Sequence, residues 1–521
     1  MRTVILLSIL ACCLFAAQPS NAEETAKLDP VVAIKSGKVR GTQTSAGGAA
    51  FKGVPFAQPP TGELRWRESL PVKPWTGIRD ANAFSAECVQ SGPGGPGSIE
   101  DCLYLNVWTP VWPMKTRLPV MFWIHGGGNF AGSTKIPVYD GESLSRHGVV
   151  VVSTNYRLGI FGFLALPELS KESPHHVSGN YGILDQILAL RWVHENIAKF
   201  GGDPANVTIF GESAGSMDVN VLMATPLSKG LFQRAIAESG PVSNVPPLSE
   251  GESKGQGFVA KLNITGDSVL RQLRALPSDV LQKAAGSSPP SPGRGLGIVV
   301  DGWMLPKPPL SLFASGQERR VALIIGSNSQ EMQKPFFTAM SGTVAQGIKD
   351  DYGDLADQAL ALYGLTGSTE PAPDPEFGPV LAQWLTDSHF RCGTVAELVW
   401  HTTAGNTGYQ FQFSRAMPGK KALGAPHGSE LPYVFGTLAI APPPTSYNAM
   451  DQRISEQMQE YWTNFAKTGD PNGPNLPKWP KFDPASRAYL EFTNSGPVAK
   501  EGLRRNICDL YMEKLKRQLE H

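Results

Sequence analysis

The sequence predicts an α/β fold built on a large, mostly parallel sheet flanked by helices. Three observations carry that expectation: short β-rich runs alternate with helix-periodic stretches, a serine pentapeptide sits between a strand pattern and a helix pattern, and the chain is long enough for a large core. The 521 residues are 41% hydrophobic and 18% charged, which is a globular composition rather than a disordered or fibrous one. The 55 glycines and 44 prolines imply many loops, and loops on a rigid scaffold are where chemistry is usually carried.

Taken in order, residues 120–124 and 149–153 are short apolar runs closed by turn or polar signals, as buried parallel strands should be. Residues 183–199 then repeat Ile183, Ile187, Leu190, Val193 and Ile197 on one side, the pattern of a helix packed on a sheet. Gly201-Gly202-Asp203-Pro204 reads as a stop. The β-branched run at 207–210 follows as a strand, and a helix-compatible stretch covers 217–223. Two further strands are expected at 321–325 and 409–413, and Ile454, Met458, Tyr461 and Phe465 mark another amphipathic helix. There is no internal repeat. Residues 286–297, rich in Ser, Pro and Gly, read as a surface loop or as a rim of an active-site entrance.

The N-terminus has a basic start, an apolar run over 4–17 and Ser20-Asn21-Ala22 at the expected cleavage position. This predicts a signal peptide over residues 1–22, with 23–521 forming one domain, and a secreted or periplasmic location. The run is shorter than the ~20 residues a membrane span needs. A lipid-attachment reading at Cys12 is weaker, because the apolar run before it is very short and continues past it. No later segment is long and apolar enough to span. Lys+Arg 46 balance Asp+Glu 46, which argues against nucleic acid or an anionic membrane as the main partner and leaves a small molecule. Removing the leader leaves Cys88, Cys102, Cys392 and Cys508. Four cysteines permit three disulfide pairings, of which Cys88 with Cys102 is the local choice, and four inert thiols are the other reading.

The pentapeptide Gly211-Glu212-Ser213-Ala214-Gly215 is a candidate nucleophile elbow, a tight strand-to-helix turn that lifts a serine Oγ off the sheet edge. Gly251-Glu252-Ser253-Lys254-Gly255 fits the same expression but has no strand before it. Acyl transfer by serine also needs a base, an acid to orient that base, and donors for the oxyanion. His125-Gly126-Gly127-Gly128 follows the 120–124 strand, and backbone N–H groups of these glycines with that of Ala214 would make an oxyanion hole. A phosphate loop is the competing reading, and neither G-x-G-x-x-G nor a Walker lysine is present there. Glu331 follows the 321–325 strand as the candidate acid and His427 follows the 409–413 strand as the candidate base. Ser213, Glu331, His427 is the chain order of an α/β-hydrolase. His175, His176, His194 and His521 lie in a polar loop, a helix and the terminus, and compete poorly. No metal or organic cofactor is called for.

At this point the chain resembles the type-B carboxylesterase/lipase family, the group of cholinesterases, bile-salt-activated and fungal lipases and para-nitrobenzyl esterases. The carriers are Gly53-Val54-Pro55-Phe56-Ala57, the Pro59 to Trp66 stretch, Glu100-Asp101-Cys102-Leu103-Tyr104-Leu105-Asn106-Val107, the His125 glycines, Asn155-Tyr156-Arg157-Leu158-Gly159, Gly179 to Gln186, the Ser213 elbow and the His427 loop. The resemblance implies an α/β-hydrolase fold with loop and helical insertions forming an active-site gorge. It implies Ser213 as nucleophile, Glu331 as acid, His427 as base, and Gly127, Gly128 and Ala214 as oxyanion donors. It favours Cys88–Cys102 and Cys392–Cys508 as disulfides. Ester hydrolysis is the activity it implies; a lipase, an amide or thioester hydrolase, and a non-catalytic binding relative are the alternatives. Three departures stand out. Residues 89–101 lack any Trp, Tyr or Phe, against a cation-π choline site. Asn129 replaces the aromatic residue more often found after the glycines, which suggests a more polar acyl pocket. Met332 replaces the usual glycine after the acid.

Overall fold

A computed structural model describes residues 29–520 except 92–96, 267, 287–295, 333–341, 368, 417, 420–423 and 441–446. The expected leader at 1–22, and most of the 286–297 loop, therefore lie outside the described residues.

Among the described residues the main sheet has eleven strands. Six parallel pairings join seven of them in the spatial order Val150–Thr154, Leu118–Ile124, Gly202–Glu212, Arg234–Glu238, Ala322–Asn328, Gly408–Phe413 and Ala488–Thr493. Antiparallel strands complete both edges: Gly496–Glu501 beyond Ala488–Thr493, and Tyr104–Thr109, Ala49–Pro55 and Thr42–Gln43 beyond Val150–Thr154. A separate three-stranded sheet holds Val31–Ile34, Gly37–Arg40 and Ile78–Asp80.

Near-continuous apolar strands are what a parallel sheet covered on both faces requires. In Leu118–Ile124, Val120, Phe122 and Ile124 enter one core with Ile183, Ile187 and Leu190. Met121 and Trp123 enter the opposite core with Ile454, Met458 and Trp462. The two-residue alternation of the strand thus seats one helix on each face. Those helices are Tyr181–Asn196 and Ala449–Thr468, at the places their periodicity predicts. The first runs on as a 3-10 turn over Ile197–Phe200 and ends at Gly201 in the left-handed conformation, φ 84°.

One boundary departs from expectation. The strand before Ser213 begins at Gly202, inside the segment read as a stop. Gly202 pairs with Leu118, and the register then shifts before Val120 meets Val207. Pro204 therefore sits in the irregular stretch, where its missing N–H breaks no regular ladder.

Cys88 is bonded to Cys102 and Cys392 to Cys508, with Cα separations of 5.0 and 4.7 Å. Ser253, the decoy, lies within the helix Leu248–Lys261. Among the described residues no helix is long and apolar enough to cross a membrane.

Candidate active site

The register of the parallel strands brings the predicted residues together. Ile124 pairs with Gly211, Glu212 with Glu238, and Glu238 with Gly326. The carboxyl ends of the strands therefore release the His125 loop beside Ser213, and the Glu331 loop two strands from Ser213, in the position where open α/β sheets bind ligands.

Ser213 stands between the strand Gly202–Glu212 and the helix Ala214–Ala224 at φ 57°, ψ −122°. A non-glycine residue held there is strained, and the surroundings must enforce it. They do so by close approach. A Cβ on Gly215 would lie 2.1 Å from the Ile124 carbonyl oxygen, and one on Gly211 would lie 2.5 Å from Gly215 backbone atoms. The Ser213 N–H is tied to Glu238 O at 2.8 Å.

Opposite the elbow, Gly127 and Gly128 are exposed, at φ 106° and 65°. Among the described residues their N–H groups have no protein acceptor. Ala214 opens its helix, so its N–H has no intrahelical acceptor either. The glycine loop is anchored behind. The Tyr156 hydroxyl reaches His125 O at 2.7 Å and its ring stacks on His125 at 4.5 Å. Gln90 binds Gly132 through both backbone groups. Burial pushes the His125 imidazole down to about 4, so this histidine is neutral near pH 7.

His427 and Glu331 meet directly. His427 Nδ1 is 2.7 Å from Glu331 Oε2, and the His427 N–H donates to Glu331 O at 3.0 Å. Glu331 is buried, and its Oε1 accepts the Asn328 N–H at 2.6 Å. Phe390 packs 5.0 Å from the imidazole. Met332 does not prevent this contact; its side chain packs beside a neighbouring apolar cluster.

The other face of the imidazole holds a residue whose role the pattern G-x-S-x-G conceals. Nε2 lies 3.1 Å from Oε1 of Glu212, the residue before Ser213. Burial works against a charged His427, but the Glu212 and Glu331 carboxylates outweigh it and hold the imidazole up to about 10. Burial, aided by Glu331 and opposed by His427, pushes Glu212 up to about 7. Two more buried acids line this region. Glu238 accepts from Trp462 Nε1 at 2.9 Å and is pushed up to about 8, mainly by burial. Glu430 is raised well above the carboxylate range, also mainly by burial. Neither shows a sequence signal, because only the fold collects acids from two strands and two loops. Among the described residues no cluster of His, Cys, Asp or Glu is arranged to hold a metal.

The Carboxylesterase family model matches residues 28–511. The chain belongs to the carboxylesterase family. Fumonisin B1 esterase of Sphingopyxis macrogoltabida is 35% identical over 472 residues, covering 86% of this chain and 84% of that protein. The medium-chain fatty acyl-CoA hydrolase precursor of Anas platyrhynchos is 34% identical, covering 93% and 92%. Among solved structures, a PNB esterase superposes with a TM-score of 0.80 at 33% identity, over 93% of this chain and 100% of that one. The carboxylesterase has the α/β-hydrolase fold and is a carboxylic ester hydrolase.

Proposed function

We propose that the protein is a secreted or periplasmic serine carboxylesterase in which Ser213, His427 and Glu331 form the catalytic triad. The observation that carries the reading is the 2.7 Å contact between His427 Nδ1 and Glu331 Oε2, set beside a serine on a strained strand-to-helix turn. Residues 23–521 act as one catalytic domain, a reading supported by the single eleven-stranded sheet. The leader pattern at 1–22 and the two disulfides support export.

The steps follow from the atoms present. His427 acts from its neutral form, with the Nδ1 proton directed at Glu331 and a lone pair on Nε2. Nε2 then removes the Ser213 Oγ proton as Oγ bonds to the ester carbonyl carbon. The carbonyl oxygen becomes an oxyanion between the N–H groups of Gly127, Gly128 and Ala214. The imidazolium returns its proton to the departing alcohol, and Glu331 keeps the ring oriented throughout. Water, deprotonated by Nε2, attacks the acyl-enzyme, and Oγ leaves with the proton restored to it. The names of the relatives include a fumonisin B1 esterase and a fatty acyl-CoA hydrolase, so a thioester, with a thiol as leaving group, is the second substrate class to test.

Fluorophosphonate labelling of wild type, Ser213→Ala and Ser253→Ala, with turnover of esters of graded acyl length and of an acyl-CoA, tests the assignment. Ser213→Ala should lose both labelling and turnover, while Ser253→Ala retains both. Labelling and turnover that persist in Ser213→Ala would place the nucleophile elsewhere.

A further inference from the structure

Asn129 follows the exposed glycines, at φ 61°, a left-handed conformation that asparagine tolerates better than an aromatic residue does. Its side chain turns toward the helix that follows the nucleophile. Asn129 Nδ2 donates to Asp218 Oδ1 at 2.8 Å. Among the described residues this is the one side-chain hydrogen bond that joins the 126–132 loop to the helix Ala214–Ala224.

Both partners are held from behind. Asn129 Oδ1 accepts from the Tyr156 hydroxyl at 3.0 Å, and Asn129 O accepts the Gly159 N–H at 2.8 Å. Asp218 Oδ2 accepts from Gln186 Nε2 at 2.6 Å, and Gln186 belongs to the helix Tyr181–Asn196. Asp218, Gln186 and Tyr156 are fully buried. A buried carboxylate is costly where an apolar side chain would serve for packing. This one spends both oxygens on amide donors, one of them from the glycine loop.

The two ends of this bridge are next to the two halves of the oxyanion hole. Asn129 adjoins Gly128, and Asp218 lies one helical turn beyond Ala214. Donors act on a developing oxyanion only when placed within a few tenths of an ångström, and a run of glycines has little stiffness of its own. We propose that Asn129 and Asp218 are positioning residues for the oxyanion hole. Their hydrogen bond fixes the glycine loop at the distance from Ala214 that the transition state requires. This rests on the assignment of Gly127, Gly128 and Ala214 as the oxyanion donors to an ester activated by Ser213.

A charge swap tests it. Asn129→Asp sets two carboxylates against each other where a donor and an acceptor stood. In Asn129→Asp with Asp218→Asn, donor and acceptor are exchanged, while Tyr156 and Gln186 keep acceptors to donate to. Turnover is expressed per site titrated with a fluorophosphonate, so that misfolded molecules drop out of the count. Asn129→Asp should lower kcat per site by roughly 10²-fold, the scale of one lost oxyanion donor. KM should stay within about threefold, because the interaction is made in the transition state. The double variant should recover most of the lost kcat. If Asn129→Asp does not fold, Asn129→Ala removes the bond without adding charge and should lower kcat in the same direction. A per-site kcat near wild type in the single variants, or a double variant that titrates fully without regaining kcat, overturns the proposal. Ser213→Ala, assayed alongside, separates the two readings: turnover there defeats the triad itself, whatever Asn129 does.

Discussion

His427 is held between two carboxylates, 2.7 Å from Glu331 at Nδ1 and 3.1 Å from Glu212 at Nε2. The two acids have opposite uses. In the proposed triad Glu331 orients the ring, whereas Glu212 stabilises the imidazolium and so opposes Nε2 as a base. Removing the Glu212 charge lowers the His427 pKa, so the neutral imidazole persists to lower pH. Glu212→Gln should therefore move the acid limb of the kcat/KM profile toward lower pH, and an unmoved limb would mean that Glu212 does not share the His427 proton in the free enzyme. The placement of Ser213, Glu331 and His427 beyond strand ends was legible in the sequence because each follows a strand pattern. The x position of G-x-S-x-G was not, since Glu212 gains its role from a loop more than two hundred residues later. Asn129 was legible only as a departure; the structure supplies its partner, Asp218, which lies inside an ordinary helical stretch.

At the level of elements, the elbow is a packing problem. Helix Ala214–Ala224 starts so close to strand Leu118–Ile124 that a Cβ on Gly215 would meet the Ile124 carbonyl at 2.1 Å. Backbone cannot yield as a flexible side chain would. Gly215→Ala should thus displace the helix start, and with it the Ala214 N–H; fluorophosphonate labelling should slow by at least about tenfold if that donor is worth the usual 10²–10³. Labelling at the wild-type rate would show that the turn has slack. The strands and the helices Tyr181–Asn196 and Ala449–Thr468 were readable because buried parallel strands are continuously apolar and covering helices keep a 3.6-residue period. The start of strand Gly202–Glu212 was not, because Gly and Pro signal a break locally and only the shifted pairing with Leu118 shows that the chain is already in the sheet.

Across the whole molecule, the two disulfides differ in what they constrain. Cys88–Cys102 spans 14 residues and Cys392–Cys508 spans 116. In the chain-entropy picture the short bridge contributes about 3 kcal/mol and the long one about 4–5 kcal/mol. Cys392→Ser with Cys508→Ser should therefore lower the thermal unfolding midpoint more than Cys88→Ser with Cys102→Ser does, as read by calorimetry under oxidising conditions. The reverse order would place the larger effect in native-state packing rather than in the unfolded chain.

The parallel order of the sheet has a consequence for the protein's synthesis. Ser213 and the glycine loop leave the ribosome long before His427, and the strands between Ser213 and His427 are added to the sheet in chain order. If His427 is the base proposed above, Ser213 is an ordinary hydroxyl until residue 427 has been made and strand Gly408–Phe413 has joined the sheet. On the proposed triad, a nascent chain is thus unable to take up an acyl group at Ser213, and its reactivity begins only once it folds.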